Sequence, residues 1–166
     1  MSRPELDSLF PYSRSEVATI AGVGVPTIKT LHAGKVLPKR ARGTGNWRSY
    51  SAEDMLRTML AKELLRVGLN VASIHSLFES IQAPTTPNAK PWAWLRSREA
   101  RDAVACLVLS LGHRALSSAT GTAHITTFDG AKQFLGQRTA IVIDVNSFIR
   151  EIEERTGRPY DEEQAD

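Results

Sequence analysis

The chain has 166 residues, of which 42% are hydrophobic, enough for one domain of ordinary size or two small ones. A single cysteine excludes an internal disulfide and a cysteine-rich metal cluster. There is no apolar run of about 18 residues to cross a membrane, and the first residues do not resemble a secretory signal. We therefore expect a cytoplasmic protein without cofactors or a membrane partner.

The net charge of +3 is distributed unevenly. Residues 1–80 carry 11 Lys and Arg against 7 Asp and Glu, whereas residues 81–166 carry 10 against 11. Between Val17 and Ala52 there are six Lys or Arg and no acidic residue. Such a local excess is typical of a phosphate-binding surface, although a solvated basic loop has the same composition.

The beginning of the chain predicts two short helices joined by a tight turn. Ser13 and Glu16 form a capping box that begins a helix over residues 14–21. Gly22 can adopt the left-handed conformation that ends it. Pro26 falls in the first turn of a second helix, where its missing N–H costs nothing.

The second helix has a predicted inner and outer face. Its apolar residues recur every three positions and are expected to face the core: Val25, Ile28 and Leu31. Its outward residues are expected to be Thr27, Lys29, Thr30 and His32. This arrangement leaves a polar, basic face exposed.

A basic hairpin is predicted after Gly34, which breaks the second helix. Residues 36–38 can form a short strand, and residues 39–46 are too polar and glycine-rich for a helix. Residues 47–50 alternate large and polar side chains like a returning strand. Together these segments predict a wing.

Two further helices follow the predicted wing. Ser51 caps a helix that runs to Val67, with apolar residues at three-and-four spacing. Asn70 caps a fourth helix. The apolar residues of the fourth helix are Val71, Ile74, Leu77, Phe78 and Ile81. Residues 1–82 are thus predicted to form one mainly helical domain.

Prolines interrupt the chain after this domain. Pro84, Pro87 and Pro91 fall close together, so residues 83–91 cannot continue a helix and are predicted to be a linker. Trp92, Trp94 and Leu95 come next and are expected to anchor the linker on a core.

Residues 92–157 predict a small α+β domain. Ser97 caps a helix, and the apolar run 104–111 fits a helix by spacing and a buried strand by composition; we favour a short helix leading into a strand. Residues 124–128 and 140–145 predict strands, with a turn at residues 129–130. Asn146 is expected to cap a final helix that ends at Gly157, before an acidic tail over residues 158–166.

The cysteine, histidine and aspartate residues of this half fit structural roles better than catalytic or metal-binding ones. Cys106 lies in an apolar run and is more typical of a buried small side chain than of a reactive thiol. His113 and His124 have no second ligand at metal spacing. Asp129 fits a turn, and Asp144 fits helix capping better than catalysis. We expect no enzymatic activity and no metal site.

Residues 12–80 resemble the N-terminal DNA-binding domain of the MerR (mercury-resistance regulator) family. The resemblance is carried, in order, by residues 12–21, 22–29, 36–38, the pair Arg48 and Tyr50 with residues 51–54, and residues 66–70. It covers a little under half of the chain and does not extend into the second half.

The resemblance implies that the second helix enters the major groove of DNA and that the wing contacts the neighbouring backbone. Thr27 and Lys29 fall where the family contacts bases or phosphates, and Arg48 falls on the wing arginine. The complete set of residues expected to bind DNA is Arg14, Pro26, Thr27, Lys29, Thr30, His32, Lys39, Arg40, Arg42, Trp47, Arg48 and Tyr50.

Four departures from the family limit what is carried over. The recognition helix has Lys29, Thr30 and Leu31 where the family has an arginine and an aromatic pair, so the base preference should differ. The bulky Trp47 replaces a small or basic residue. Prolines replace the long dimerisation helix, and the metal-sensing cysteines are absent, so neither the usual dimer nor metal sensing is implied.

The expected fold class is α+β, with a mainly helical winged helix-turn-helix domain followed by a small α+β domain. The expected function is a nucleoid-associated transcriptional regulator that binds double-stranded DNA as a homodimer. Its second domain would dimerise or bind an effector or protein partner. Two alternatives are an excisionase-like protein that bends DNA, and an enzymatic or ligand-binding domain addressed to DNA by the first domain.

Overall fold

The computed structural model describes residues 12–38, 48–81, 91–102, 105–111, 121–132 and 140–160. Its first part consists of β1 (Tyr12–Ser13), α1 (Arg14–Ala21), α2 (Val25–Ala33), β2 (Arg48–Tyr50), α3 (Ala52–Arg66) and α4 (Val71–Glu79). Its second part consists of α5 (Pro91–Trp94), α6 (Arg98–Asp102), β3 (Ala105–Leu111), β4 (Gly121–Thr127), α7 (Phe128–Ala131), β5 (Ala140–Asp144) and α8 (Val145–Thr156). The predicted α+β class is confirmed.

The first helix begins and ends as its sequence predicts. The Ser13 side chain accepts the Glu16 N–H at 3.2 Å, and the Glu16 carboxylate accepts the Ser13 N–H at 2.7 Å. Gly22 ends α1 in the left-handed conformation, with φ at 61°. This conformation turns the chain toward α2 within three residues, because only glycine adopts it without a steric penalty.

The strand predicted at residues 36–38 is absent, and that prediction is wrong. Lys35 has a left-handed φ of 62°, and the N–H groups of Val36 and Leu37 both point back to the Leu31 carbonyl, at 2.9 and 3.4 Å. The side chains of Val36 and Leu37 are both buried, whereas a strand would alternate them. This segment is therefore a helix-ending turn, and the described partner of β2 is β1, with Tyr12 opposite Tyr50.

The third and fourth helices have the predicted caps. The Ser51 hydroxyl accepts the Asp54 N–H at 3.2 Å, and the Asn70 side chain accepts the Ser73 N–H at 2.8 Å. The inward position predicted for Val25 is wrong, because its side chain is 38% exposed. Val25 stands at the start of α2, where less of the surrounding protein covers a side chain. The helix predicted to run to Val67 ends at Arg66.

Three antiparallel strands in the order β4–β3–β5 form the sheet of the second half. One face contributes Leu107, Leu109 and Ile125 to the main hydrophobic core. On the opposite face Cys106 and Val108 pack with Ala131 of α7. The run that follows α6 is therefore a strand from Ala105, which agrees with the helix-then-strand interpretation.

Several strand and helix ends in the second half differ from the predicted ones, because side chains cap the helices at other positions. Phe128 is not in a strand, because Thr127 accepts the Gly130 N–H at 3.1 Å and turns the chain into α7. The last helix is capped by Asp144, which accepts the Ser147 N–H at 3.2 Å. The cap predicted at Asn146 is wrong, since this side chain donates to the Ala100 carbonyl at 3.1 Å.

The two halves share one hydrophobic core. The Trp92 ring contacts the Phe78 ring edge to face, with ring centroids 5.2 Å apart, and Arg57 lies 4.4 Å above the centre of the same indole. Pro91 begins α5, while residues 82–90 and residues 161–166 of the predicted acidic tail lie outside the described residues. The division into two domains stays a prediction.

The final helix also packs against the first half. α8 lies against α3 and against β3. Arg155 donates from α8 to the Ile20 carbonyl at the end of α1. Across the described parts of the chain, none of the helices combines the length and apolar character needed to span a bilayer.

Candidate nucleic-acid interface

The candidate interface is built on α2, which two buried residues hold against the core. Ile28 is 0% exposed and Leu31 is 1% exposed, so the opposite face of the helix is turned to solvent. Pro26, Lys29 and Thr30 lie on that exposed face. A short amphipathic helix held in this way can enter a major groove without disturbing the core.

Thr27 and Thr30 differ in what they offer to a ligand. Thr27 is half-buried. Thr30 is exposed, but its hydroxyl donates to the Pro26 carbonyl at 3.1 Å within the helix. Lys29 is exposed between them and carries the positive charge of this face. The Lys29 ammonium is therefore the group of α2 that is best suited to a phosphate or a guanine edge.

A second feature brings together three of the predicted residues around one hydroxyl group. The Tyr50 hydroxyl accepts a hydrogen bond from Arg14 Nε at 3.1 Å and is hydrogen-bonded to His32 Nε2 at 2.9 Å. The His32 and Tyr50 rings also meet edge to face at 5.5 Å. We call Arg14, His32 and Tyr50 the Tyr50 network.

The Tyr50 network changes the expected environment of His32 and Tyr50. His32 was expected to be exposed, but it is half-buried because Tyr50 lies against it, and Tyr50 itself is only 3% exposed. The hydroxyl links α1, α2 and β2, the three elements that would approach DNA together. Their relative orientation is therefore stabilised from inside the protein, and direct contact of these residues with DNA stays a prediction.

The predicted wing lies mostly outside the described residues. This applies to Lys39, Arg40, Arg42 and Trp47, and to the side chain of Arg48. The backbone of Arg48 is described and lies opposite Ser13 in the β1–β2 pair. The pair fixes the end of the predicted wing directly beside the first turn of α1.

An ion-pair cluster that the sequence interpretation missed lies just beyond β2. Glu53, in the first turn of α3, accepts from Arg57 at 2.9 Å through one oxygen and from Arg96 at 3.0 Å through the other. All three side chains are 15–21% exposed. Because Arg96 stands 43 residues from Glu53, no local pattern could have indicated the contact.

The reactive groups of the second half do not form a catalytic arrangement among the described residues. Burial, with a smaller effect from Asp144, raises the pKa of the Cys106 thiol, and the side chain is 2% exposed, so its predicted burial is confirmed. Burial also lowers the pKa of His124. In the described ranges, no three His, Cys, Asp or Glu side chains are grouped closely enough to hold a metal ion.

The arrangement of α1, a glycine turn and α2 defines a helix-turn-helix DNA-binding module. Residues 12–81 match the family model described as MerR HTH family regulatory protein. The N-terminal part of this chain is therefore a MerR-family helix-turn-helix domain, as the motifs predicted. The match supports DNA as its partner and DNA-binding transcriptional regulators as its class.

Proposed function

We propose that the protein is a sequence-specific transcriptional regulator, located in the cytoplasm with the nucleoid, that binds double-stranded DNA as a homodimer. The observation that carries this proposal is the exposed face of α2, which places Lys29 in solvent while Ile28 and Leu31 anchor the opposite face. In this arrangement α2 enters the major groove, and Thr27 and Lys29 contact base edges or nearby phosphates.

The predicted wing supplies the sequence-independent part of the binding. Lys39, Arg40, Arg42 and Arg48 place four cations within ten residues, and each phosphate they neutralise releases condensed counterions. The wing is proposed to follow the backbone or the minor groove next to the site of α2. The Tyr50 network supports this geometry, because it joins α2 to the strand from which the wing returns.

Duplex-binding affinity tests the proposal. Lys29→Ala is expected to weaken binding to a selected site about 10-fold or more, and Arg48→Ala to weaken binding to all duplexes and lower the salt slope by about 1. Lys132→Ala is the matched control, because Lys132 is an exposed cation just after the end of α7, outside the proposed interface. If Lys29→Ala and Arg48→Ala both leave affinity unchanged, the assignment is wrong.

An excisionase-like DNA-bending protein uses the same type of module and is the alternative that needs separating. Footprinting on genomic fragments distinguishes the two. A regulator is expected to protect an inverted repeat near a promoter, with half-sites about one helical turn apart or a multiple of it. Phased direct repeats at an attachment site would favour the bending protein instead.

A further inference from the structure

The described structure covers the two edges of the three-stranded sheet unequally. The core-facing residues of β4, Ala123 and Ile125, are 0% exposed. The core-facing residues of β5, Ile141 and Ile143, remain partly exposed although they pack against the same core. Both α4 and α7 pack against β4. Among the described residues, no strand pairs with the outer side of β5.

The opposite face of the sheet shows the same inequality. Val108 of β3 is 0% exposed, because α7 covers it through Ala131. Its register partner on β5, Val142, is 37% exposed. The covering layer therefore ends between β3 and β5. An apolar side chain is left exposed at the centre of an edge strand.

β5 lacks the features that usually prevent an edge strand from pairing. Edge strands are commonly protected by lysine, proline, a bulge or an inward-pointing charge. β5 has the sequence Ala-Ile-Val-Ile-Asp and pairs with β3 in unbroken register, with its only charged residue, Asp144, at its end. Within the described ranges its outer side therefore presents backbone N–H and C=O groups that can accept another strand.

We propose that β5 pairs antiparallel with β5 of a second copy of this chain, about a two-fold axis through Val142. An antiparallel pair of identical strands is self-complementary, so one edge supplies both halves of the interface. The pairing places Ile141 opposite Ile143 of the partner subunit and Ala140 opposite Asp144 of the partner subunit. No like charges meet, and the two three-stranded sheets become one continuous sheet.

A second copy suits this edge because the strand is complementary to itself in the antiparallel direction. The centre of the strand is apolar on both faces, so the same side chains that one copy leaves exposed are covered by their equivalents. The inference rests on the proposed function, in which a homodimer recognises two half-sites. It also supplies a dimer contact that does not need one long helix across the prolines at positions 84, 87 and 91.

Sedimentation velocity on the full-length chain tests the contact. The wild type is expected to sediment as a dimer, and Val142→Lys is expected to weaken dimerisation at least about tenfold, because a lysine on the edge blocks pairing. Phe128→Lys is the matched control, since Phe128 is also an exposed apolar residue, at 54%, but lies on α7. A monomeric wild type, or a Val142→Lys variant that dimerises like the wild type, would overturn the inference.

A cysteine variant gives a result that does not depend on how the lysine variant folds. Directly opposite residues in an antiparallel pair have Cα atoms about 4.5–5.5 Å apart, within the range that a disulfide spans. Val142→Cys treated with oxidised glutathione is therefore expected to form a covalent dimer on a non-reducing gel. Phe128→Cys should stay monomeric, and Cys106 should not react because it is buried. Equal cross-linking of the two variants would contradict the pairing.

Failure of this inference can be told apart from failure of the proposed function. If Val142→Lys stays dimeric while Lys29→Ala loses DNA affinity, the interface is wrong and the regulator function stands. If the wild type binds no duplex but Val142→Cys cross-links selectively, the interface is supported and the DNA-binding function is wrong.

Discussion

The helix-turn-helix module and the second half of the chain are stabilised in different ways. In residues 12–81, three of the four helices begin with a side-chain cap from a neighbouring residue, and α3 packs against both α1 and α4. In residues 91–160, three strands that are distant in sequence pair into a sheet, and α8 packs back onto α3. The sheet of the second half is thus built from long-range pairing, and its core is continuous with that of the module.

This continuous core gives Trp92 an unusual position. It lies at the start of the second half, yet its ring contacts Phe78 and Arg57 of the module. Arg96 adds an ion pair to Glu53 from the same short segment. A proline-containing stretch between two halves would ordinarily suggest independent motion. These contacts instead predict that the described halves unfold as one cooperative unit.

The largest expected effect comes from Trp92→Ala. Removing an indole that is 7% exposed should lower the free energy of unfolding by about 3–5 kcal/mol. Urea denaturation followed by circular dichroism measures it, and a single transition should shift as a whole. Phe128→Ala, at a side chain that is 54% exposed, is the control and should change stability by about 0.5 kcal/mol or less. Two separate transitions, with only one of them shifted, would show that the halves are independent.

A smaller effect is expected from Glu53→Gln. The substitution leaves Arg57 and Arg96 without the carboxylate between them, and we expect a loss of about 1–2 kcal/mol, because the pairs are only partly shielded from water. Glu63→Gln is matched to it, since Glu63 pairs with the 76% exposed Arg66 on the same helix and should cost about 0.5 kcal/mol or less. Equal losses in both variants would mean that the link between the halves adds no stability.

Removing one helix cap from each region, at an expected cost of about 1 kcal/mol each, compares the two regions directly. Ser51→Ala removes the cap of α3 in the module, and Asp144→Ala removes the cap of α8 in the second half. Each should lower the free energy of unfolding by about 1 kcal/mol and shift the same thermal transition. If Asp144→Ala broadens or splits the melting curve while Ser51→Ala only shifts it, the regions do not share a core.

The smallest expected effect is on the pH dependence of the free energy of unfolding. Burial lowers the pKa of His124, so the folded protein binds a proton at this ring less readily than the unfolded chain does. His124 therefore contributes stability above its unfolded pKa of about 6.5. That contribution is lost as the pH falls from this value toward the lower pKa of the folded protein. His124→Gln should flatten that part of the pH dependence in urea denaturation measured between about pH 5 and 7. An unchanged slope would contradict the burial of the ring.

The module was predictable from its sequence because its determinants are local. Ser13, Gly22, Pro26, Ser51 and Asn70 each specify a helix end through neighbours within a few residues, and the structure has those ends. The same locality explains one error. The strand expected at residues 36–38 depends on how Lys35 turns the chain, and its left-handed backbone leaves no pattern in the side chains.

Distant partners account for the features that could not be predicted. The position of His32 on α2 predicts an exposed side chain, because nothing near it indicates the hydrogen bond to Tyr50, 18 residues away. The position of Asn146 predicts a helix cap, whereas its partner is the Ala100 carbonyl, 46 residues earlier. The ends of β4 and β5 likewise depend on pairing with β3. The pattern therefore predicts both strands but ends each one residue too late, and it begins β4 three residues too late.

The base preference of the DNA-binding module tests the central claim most directly. Random duplexes would be selected with the full-length wild type and with Lys29→Ala, and the two profiles compared position by position. If α2 recognises bases, the wild type should enrich a defined site, and Lys29→Ala should relax the preference at one or two positions of each half-site, by about 1–3 kcal/mol each. An enriched site that is identical for both proteins would contradict recognition through this face of α2.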